Sequence, residues 1–129
     1  MINILTDSTA DIPHDLCEKY QIGVIPMYIQ FQGKTYRDGE DIDAETLFDE
    51  VQKTGIFPTT SAPSPEDFIR FFDRSEPSIY IGVSSKLSAT FQNAKLALHD
   101  LKGNTIDLID SLSLSTGYGQ TVIKAAEWR

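Results

Sequence analysis

The sequence predicts an α/β fold: three layers, with a mostly parallel sheet and flanking helices. Three observations carry that expectation. Short apolar runs such as Ile2 to Leu5 and Ser78 to Val83 alternate with amphipathic stretches of about 10–15 residues, the rhythm of βαβ units. Polar, hydroxyl-rich segments separate a run of the first kind from one of the second, as strand-to-helix loops do. The chain has 129 residues, 40% of them hydrophobic, which suits one domain with one real core, residues 1–129.

Taken in order, Ile2 to Leu5 reads as a buried strand and Thr6 to Asp11 as a polar turn. Asp11 is placed to cap a helix running to about Tyr20, with Pro13 in its first turn, where a missing N–H costs little. Val24 to Phe31 reads as one strand, with Pro26 marking an edge or a bulge. Gln32-Gly33-Lys34 is a hairpin turn, and Thr35-Tyr36-Arg37 returns from it. Asp38 to Asp43 is a solvated acidic loop without calcium-loop spacing, and Asp43 caps a helix over Ala44 to Lys53 that ends at Gly55. Pro58 to Pro65 is an extended loop. Ser64 and Asp67, with Pro65 between them, form a capping pattern for a helix carrying Phe68, Ile69, Phe71 and Phe72. In the strand Ser78 to Val83, Ile79, Ile81 and Val83 alternate against Tyr80 and Gly82. After a Ser84 to Ser88 loop comes a helix burying Phe91, Ala94, Leu98 and Leu101, then a turn at Gly103-Asn104. The last strand is Thr105 to Ile109. Asp110 to Ser115 leads into a final helix toward Trp128, a pattern that stops without a Gly, Asn or Pro signal and so points to a fragment.

The net charge of −8 argues against a nucleic-acid backbone or an anionic lipid surface as partner. Any anion must be gripped locally, by hydroxyls and backbone N–H groups. The lone cysteine, Cys17, forms no internal disulfide and no Cys-based zinc site by itself. Asp15 and Glu18 beside it raise a thiol pKa, so it reads as a half-buried helix residue in a reducing, cytoplasmic setting. The N-terminal run turns polar too soon for a signal peptide, and no stretch has the ~20 apolar residues of a membrane span.

The informative feature is a shared layout. Thr6-Asp7-Ser8-Thr9, Ser84 to Thr90 and Asp110 to Ser115 each follow a strand and precede a helix. In a parallel sheet such loops open on one edge, where ligands bind. Helix N-termini there favour an anion, and hydroxyls add donors, so a carboxylate needs no arginine. The Thr59-Thr60-Ser61 loop also leads into a helix and is in a position to join them. Read singly, each loop is more simply a set of helix caps; it is the loops together that bring a ligand site level with that reading. Enzyme readings are weaker. Gly82-Val83-Ser84-Ser85-Lys86 lacks the closing glycine of a nucleophile elbow, and His14 and His99 sit at helix ends. Thr9 stands where an Asp-x-Asp phosphatase would have its second acid. Gly117 and Gly119, costly inside a helix, point to close approach of a neighbouring element or a ligand chain.

These segments resemble the DegV family of bacterial fatty-acid-binding proteins. The resemblance lies in Thr6 to Asp11, Val24 to Met27, Thr60 to Ser64, Ser84 to Phe91, and Asp110-Ser111 with Ser115, Gly117 and Gly119, in order through nearly the whole chain. It implies a cytoplasmic lipid carrier without catalysis or cofactor, built from two α/β domains with a long-chain fatty acid between or beneath them. The carboxylate would be held by Thr60 and Ser88, with the Ala89 N–H assisting. Ser61, Ser8 and Ser111 complete the candidate ligand-binding set. The bound acid would be presented to a separate fatty-acid kinase, whose acyl-phosphate product feeds phospholipid synthesis. Where the family usually has Gln and glycines, this chain has Ala62, Lys86 and Ala89. The Lys86 and Ala89 changes strain the loop if either position needs positive φ, and Lys86 would attract a headgroup. The family's second domain is absent from this sequence, so the wall of the acyl tunnel would be exposed and would drive self-association. Two other readings stay open: a small esterase or phosphatase using Ser84, Ser85 or Asp7, and a structural fragment that binds nothing.

Overall fold

The computed structural model describes residues 1–129 except Lys102 and Asn104. In chain order the elements are β1 (Asn3–Asp7), a 3-10 turn at Ser8–Ala10, α1 (His14–Lys19), β2 (Ile22–Ile25), β3 (Tyr28–Phe31), β4 (Lys34–Arg37), α2 (Ala44–Thr54), β5 (Thr59–Ser61), α3 (Pro65–Phe72), β6 (Ser78–Gly82), α4 (Thr90–Asp100), β7 (Ile106–Asp110) and α5 (Thr116–Trp128). The main sheet is parallel throughout, in the order β2-β1-β6-β7. Ile4 on β1 lies opposite Ile22 on one side and Ile79 on the other.

Both faces of the sheet are covered, as a parallel sheet requires. Ile4, Ile81 and Val83 pack with Tyr118, Val122 and Ala126 of α5. Leu5, Ile25 and Tyr80 pack on the opposite face with Phe68 and Phe72 of α3 and Phe91, Ala94 and Ala97 of α4. The Phe68 ring meets Tyr80 edge-on at 5.4 Å, an arrangement the aromatic quadrupole favours. The alternation along β6 therefore separates two buried faces rather than an inside from an outside.

Several expected boundaries are corrected. The strand foreseen over Val24 to Phe31 is two strands. Pro26 has no N–H to continue the ladder, and the chain leaves the main sheet there. Tyr28 then starts a second sheet, antiparallel, in the order β4-β3-β5. The extended loop from Pro58 to Pro65 contains a strand, with Thr60 opposite Ile29. Asp11 does not cap α1. It closes the 3-10 turn in the left-handed region at φ 49°, which Asp tolerates, and α1 starts after Pro13 with no side-chain cap. The apolar run of β1 extends into Thr6 and Asp7, both fully buried. In α4, Ala97 takes the core position while Leu98 and Leu101 are half-buried. The turn at Gly103-Asn104 falls partly outside the described residues.

Local signals hold. The Gln32-Gly33 turn joins β3 to β4, with Gly33 at φ 76°. Asp43 accepts from the Thr46 N–H to start α2, and Gly55 ends that helix in the left-handed region. The Ser64–Asp67 capping box starts α3, with Pro65 in its first turn.

Candidate functional site

Because β1, β6 and β7 are parallel neighbours, the loops leaving them emerge on one edge. Backbone bonds join these loops to each other. The Val83 N–H donates to Asp7 Oδ2 at 3.0 Å, the Ser84 N–H to the Ser113 carbonyl at 3.0 Å, and the Ser85 N–H to Asp110 Oδ1 at 3.1 Å. The Met27 N–H donates to Ser8 Oγ at 3.0 Å and so ties in the exit of β2. The hydroxyl-rich segments thus form one rim.

Asp7 organises that rim. Its carboxylate is fully buried and accepts from the Tyr80 hydroxyl at 2.7 Å, the Tyr118 hydroxyl at 2.8 Å, and the N–H groups of Val83 and Thr9 at 3.0 and 3.2 Å, together with the Thr9 hydroxyl. The two phenols come from opposite faces of the sheet and meet at its edge. Burial, and after it the Asp7 charge, pushes both phenol pKa values up, so both remain donors. Sequence reasoning placed Asp7 in a loop and weighed it as a phosphatase acid. In the fold it is a strand residue surrounded by donors, none of them basic. Its position at the end of an apolar run was the available signal.

The remaining candidates divide into free and engaged groups. Thr60 is exposed, and neither its hydroxyl nor that of Ser61 makes a hydrogen bond among the described residues. The Ala89 N–H is likewise without a partner among them. Ser88 is half-buried, with Oγ 2.8 Å from Thr90 Oγ1 and accepting from the Thr90 N–H at 3.2 Å. Ser8 Oγ is engaged by Met27, and Ser111 Oγ by both backbone groups of Ser113. Ser111 Oγ thus both donates and accepts within its own loop, whereas Ser8 Oγ only accepts and keeps its proton to donate. The Thr60 segment is tied to the Ser88 segment twice. Asn93 Nδ2 on α4 donates to the Pro63 carbonyl at 2.8 Å, and Thr90 Oγ1 reaches the sulfur of Met27, two residues before the Ile29 that pairs with Thr60.

The helix starts are informative. The two helices of the excursion between β2 and β6, α2 and α3, carry side-chain caps. Two long helices that start at the rim, α4 and α5, do not: Ala89 has no capping side chain, and Ser115 donates to Asp11 Oδ2 at 2.6 Å instead. At α4 the Ser88 hydroxyl takes the first amide, of Thr90, while the cap position itself offers no acceptor; at α5 Ser115 is turned to Asp11, so for α5 the reading of these loops as caps alone fails.

Lys86 and Ala89 show no positive φ, so their replacement of glycine strains nothing. Ser84 is buried, and its Oγ accepts from the Lys86 N–H. The His14 imidazole faces Glu18 at 3.7 Å. The Cys17 thiol is pushed up in pKa by burial and then by Asp15. Gly119 on α5 lies against the Ala10 carbonyl, the close approach its sequence position foretold. A cavity of about 770 Å³ between the 3-10 turn, α1, β2 and the Asp38–Asp43 loop includes Ser8 but not Thr60 or Ser88. Among the described residues no cluster of His, Cys, Asp and Glu fits a metal ion, and no helix is long and apolar enough to cross a membrane.

Comparison with known proteins gives consistent results. The chain matches, over residues 1–129, a family model described as an uncharacterised protein of the DegV family. A DegV domain-containing protein of Caldanaerobacter subterraneus is 40% identical over 129 residues, covering 97% of this chain and 46% of the relative. Protein DegV of Bacillus subtilis is 35% identical over 132 residues, covering 98% and 46%. The chain thus spans about half the length of the curated relatives it matches. Among solved structures, one on fatty acid binding of a DegV family protein from Thermus thermophilus superposes with a TM-score of 0.86 at 38% identity, covering 98% of this chain and 46% of that one. DegV of Bacillus subtilis, described as a fatty acid binding protein, superposes at 0.89 with 34% identity, covering 98% and 46%.

Proposed function

This chain belongs to the DegV family, and from that premise we propose that it binds a long-chain fatty acid, with the carboxylate at the hydroxyl rim, and carries the acid without transforming it. The observation that carries the reading is the start of α4. There the Ala89 N–H, without a partner among the described residues, is a donor for an anion at the edge where parallel-sheet folds bind ligands, and the adjoining Ser88 hydroxyl joins it by turning from Thr90 Oγ1. The free hydroxyls of Thr60 and Ser61 lie on the segment tied to it through Asn93. Solved relatives at 38% and 34% identity are described as fatty acid binding, which supports the choice of anion.

In this reading the carboxylate accepts from Thr60, Ser88 and the Ala89 N–H, Ser61 and Ser8 offer further hydroxyl donors along the rim, and Ser111 braces its loop through Ser113. The acid is handed, in the cytoplasm, to a separate fatty-acid kinase that phosphorylates the carboxyl group. The family's second domain would close the acyl tunnel.

The test is mass spectrometry of small molecules released when the purified chain is denatured, beside fatty-acid titrations of Thr60→Ala and Ser88→Ala. A fatty acid should be recovered. Each substitution should weaken binding by roughly 10- to 100-fold, the value of about 1.5–3 kcal/mol for a hydrogen bond to a charged group. Recovery of no lipid, together with titrations blind to both changes, would defeat the proposal.

A further inference from the structure

Thr60 and Ser88 stand on different sheets. Thr60 belongs to β5 of the antiparallel sheet, while Ser88 and Ala89 lie in the turn between β6 of the parallel sheet and α4. Among the described residues no strand is common to the two sheets, so no ladder register fixes the gap between these donors. A hydrogen bond needs its atoms within about 3 Å, so a gap wrong by about 1 Å forfeits one side of a shared anion.

One side chain spans that gap. Asn93, in the first turn of α4, donates from Nδ2 to the carbonyl of Pro63 at 2.8 Å, three residues after Thr60. Its own N–H donates to the Ala89 carbonyl at 3.0 Å. Among the described residues the Asn93–Pro63 bond is the one hydrogen bond between residues 59–64 and residues 84–93. Pro63 is buried, and Ser64 beside it directs both its N–H and its hydroxyl to Asp67 Oδ2. Without Asn93 the Pro63 carbonyl is a buried acceptor with no donor among the described residues, and its segment gains one by moving toward water.

We infer that Asn93 is a positioning residue for the anion: it touches no ligand itself and sets the distance from Thr60 to Ser88 and the Ala89 N–H. The inference rests on the fatty-acid reading and adds the residue that makes two separately built halves act as one site. Ser88 and Ala89 lie on the α4 side of the Asn93 bond, and Thr60 lies on the far side. Loss of Asn93 therefore detaches the contribution of Thr60 and leaves that of Ser88.

The test is a set of palmitic acid affinities on the 129-residue chain, in which Thr60→Ala and Ser88→Ala are each measured with and without Asn93→Leu. Leucine keeps the shape of the side chain and removes its donor. Asn93→Leu alone should bind palmitic acid about tenfold more weakly. In its background Thr60→Ala should cost less than about twofold more, while Ser88→Ala should still cost about tenfold. A role confined to stability leaves both penalties at their wild-type size. If Asn93→Leu does not fold, Asn93→Ser, too short to reach Pro63, carries the same expectation. A full Thr60→Ala penalty in the Asn93 variant, or the loss of both penalties together, overturns the inference and leaves the fatty-acid reading standing. So does a Thr60→Ala chain that binds like wild type while Ser88→Ala is weakened. A wild-type chain that binds no palmitic acid overturns both.

Discussion

Replacing Asp7 by Asn tests whether the rim is built around one buried acceptor. The carboxylate presents only acceptors, and every group around it donates. An amide of the same shape must turn its NH2 toward one set of donors. If that group takes the Oδ2 position, it faces the Tyr80 hydroxyl and the Val83 N–H; in the Oδ1 position it faces Tyr118 and Thr9. A phenol rotates and accepts, but a backbone N–H does not, so either choice strands one buried amide at about 1–3 kcal/mol. Loss of charge-assisted bonds adds a similar amount. Removing a buried charge also removes its desolvation cost, which acts in the opposite direction. With two fixed N–H groups and two phenols already oriented, the lost bonds outweigh that relief. The expected net loss is about 3 kcal/mol out of a typical 5–15 kcal/mol. The assay is urea denaturation followed by circular dichroism, reading the shift in midpoint at unchanged slope. Tyr80→Phe and Tyr118→Phe should each cost less, about 1–2 kcal/mol, because the carboxylate keeps its other donors. An Asp7→Asn protein within about 0.5 kcal/mol of wild type would refute the reasoning, since that is the range of an inconsequential surface change.

Gly119→Ala should destabilise by about 1–3 kcal/mol in the same assay, because the new methyl meets the Ala10 carbonyl, a backbone atom that cannot yield. Gly117→Ala meets only the Ser113 hydroxyl, 2.6 Å away and free to turn, so it should stay within about 1 kcal/mol of wild type. Asp67 gives a pH signature. Burial raises its pKa, but hydrogen bonds from the Ser64 N–H, the Tyr28 hydroxyl at 2.9 Å and the Ser64 hydroxyl outweigh burial and leave it lowered. Its contribution is therefore complete above the ordinary carboxylate value of about 4 and is lost as pH falls below that. Wild type and Asp67→Asn should differ in denaturation midpoint at pH 7 and converge toward pH 2–3; a constant gap would contradict this.

What the sequence determined by itself was what rests on neighbours a few residues apart. Ser64 with Asp67, Asp43 with Thr46, the Gly33 turn and the left-handed end at Gly55 each depend on atoms within one turn of chain, and each stands where local pattern placed it. The alternation of strand and helix likewise implied the parallel sheet and hence one shared edge for the hydroxyl loops. Tertiary structure alone decided what depends on chain closure. Pro26 marked a break, but only the second sheet shows that the chain departs there and recruits Thr59–Ser61 as a strand. Asp11 had the chemistry of a cap and became a turn residue bonded to Ser115, 104 positions away. Asp7 draws its phenols from 73 and 111 residues along the chain, and no local periodicity encodes such a meeting. Residue type states which bonds a side chain is able to make. Which of them form depends on what the folded backbone brings within about 3 Å, and for a buried acceptor that is a property of the assembled sheet.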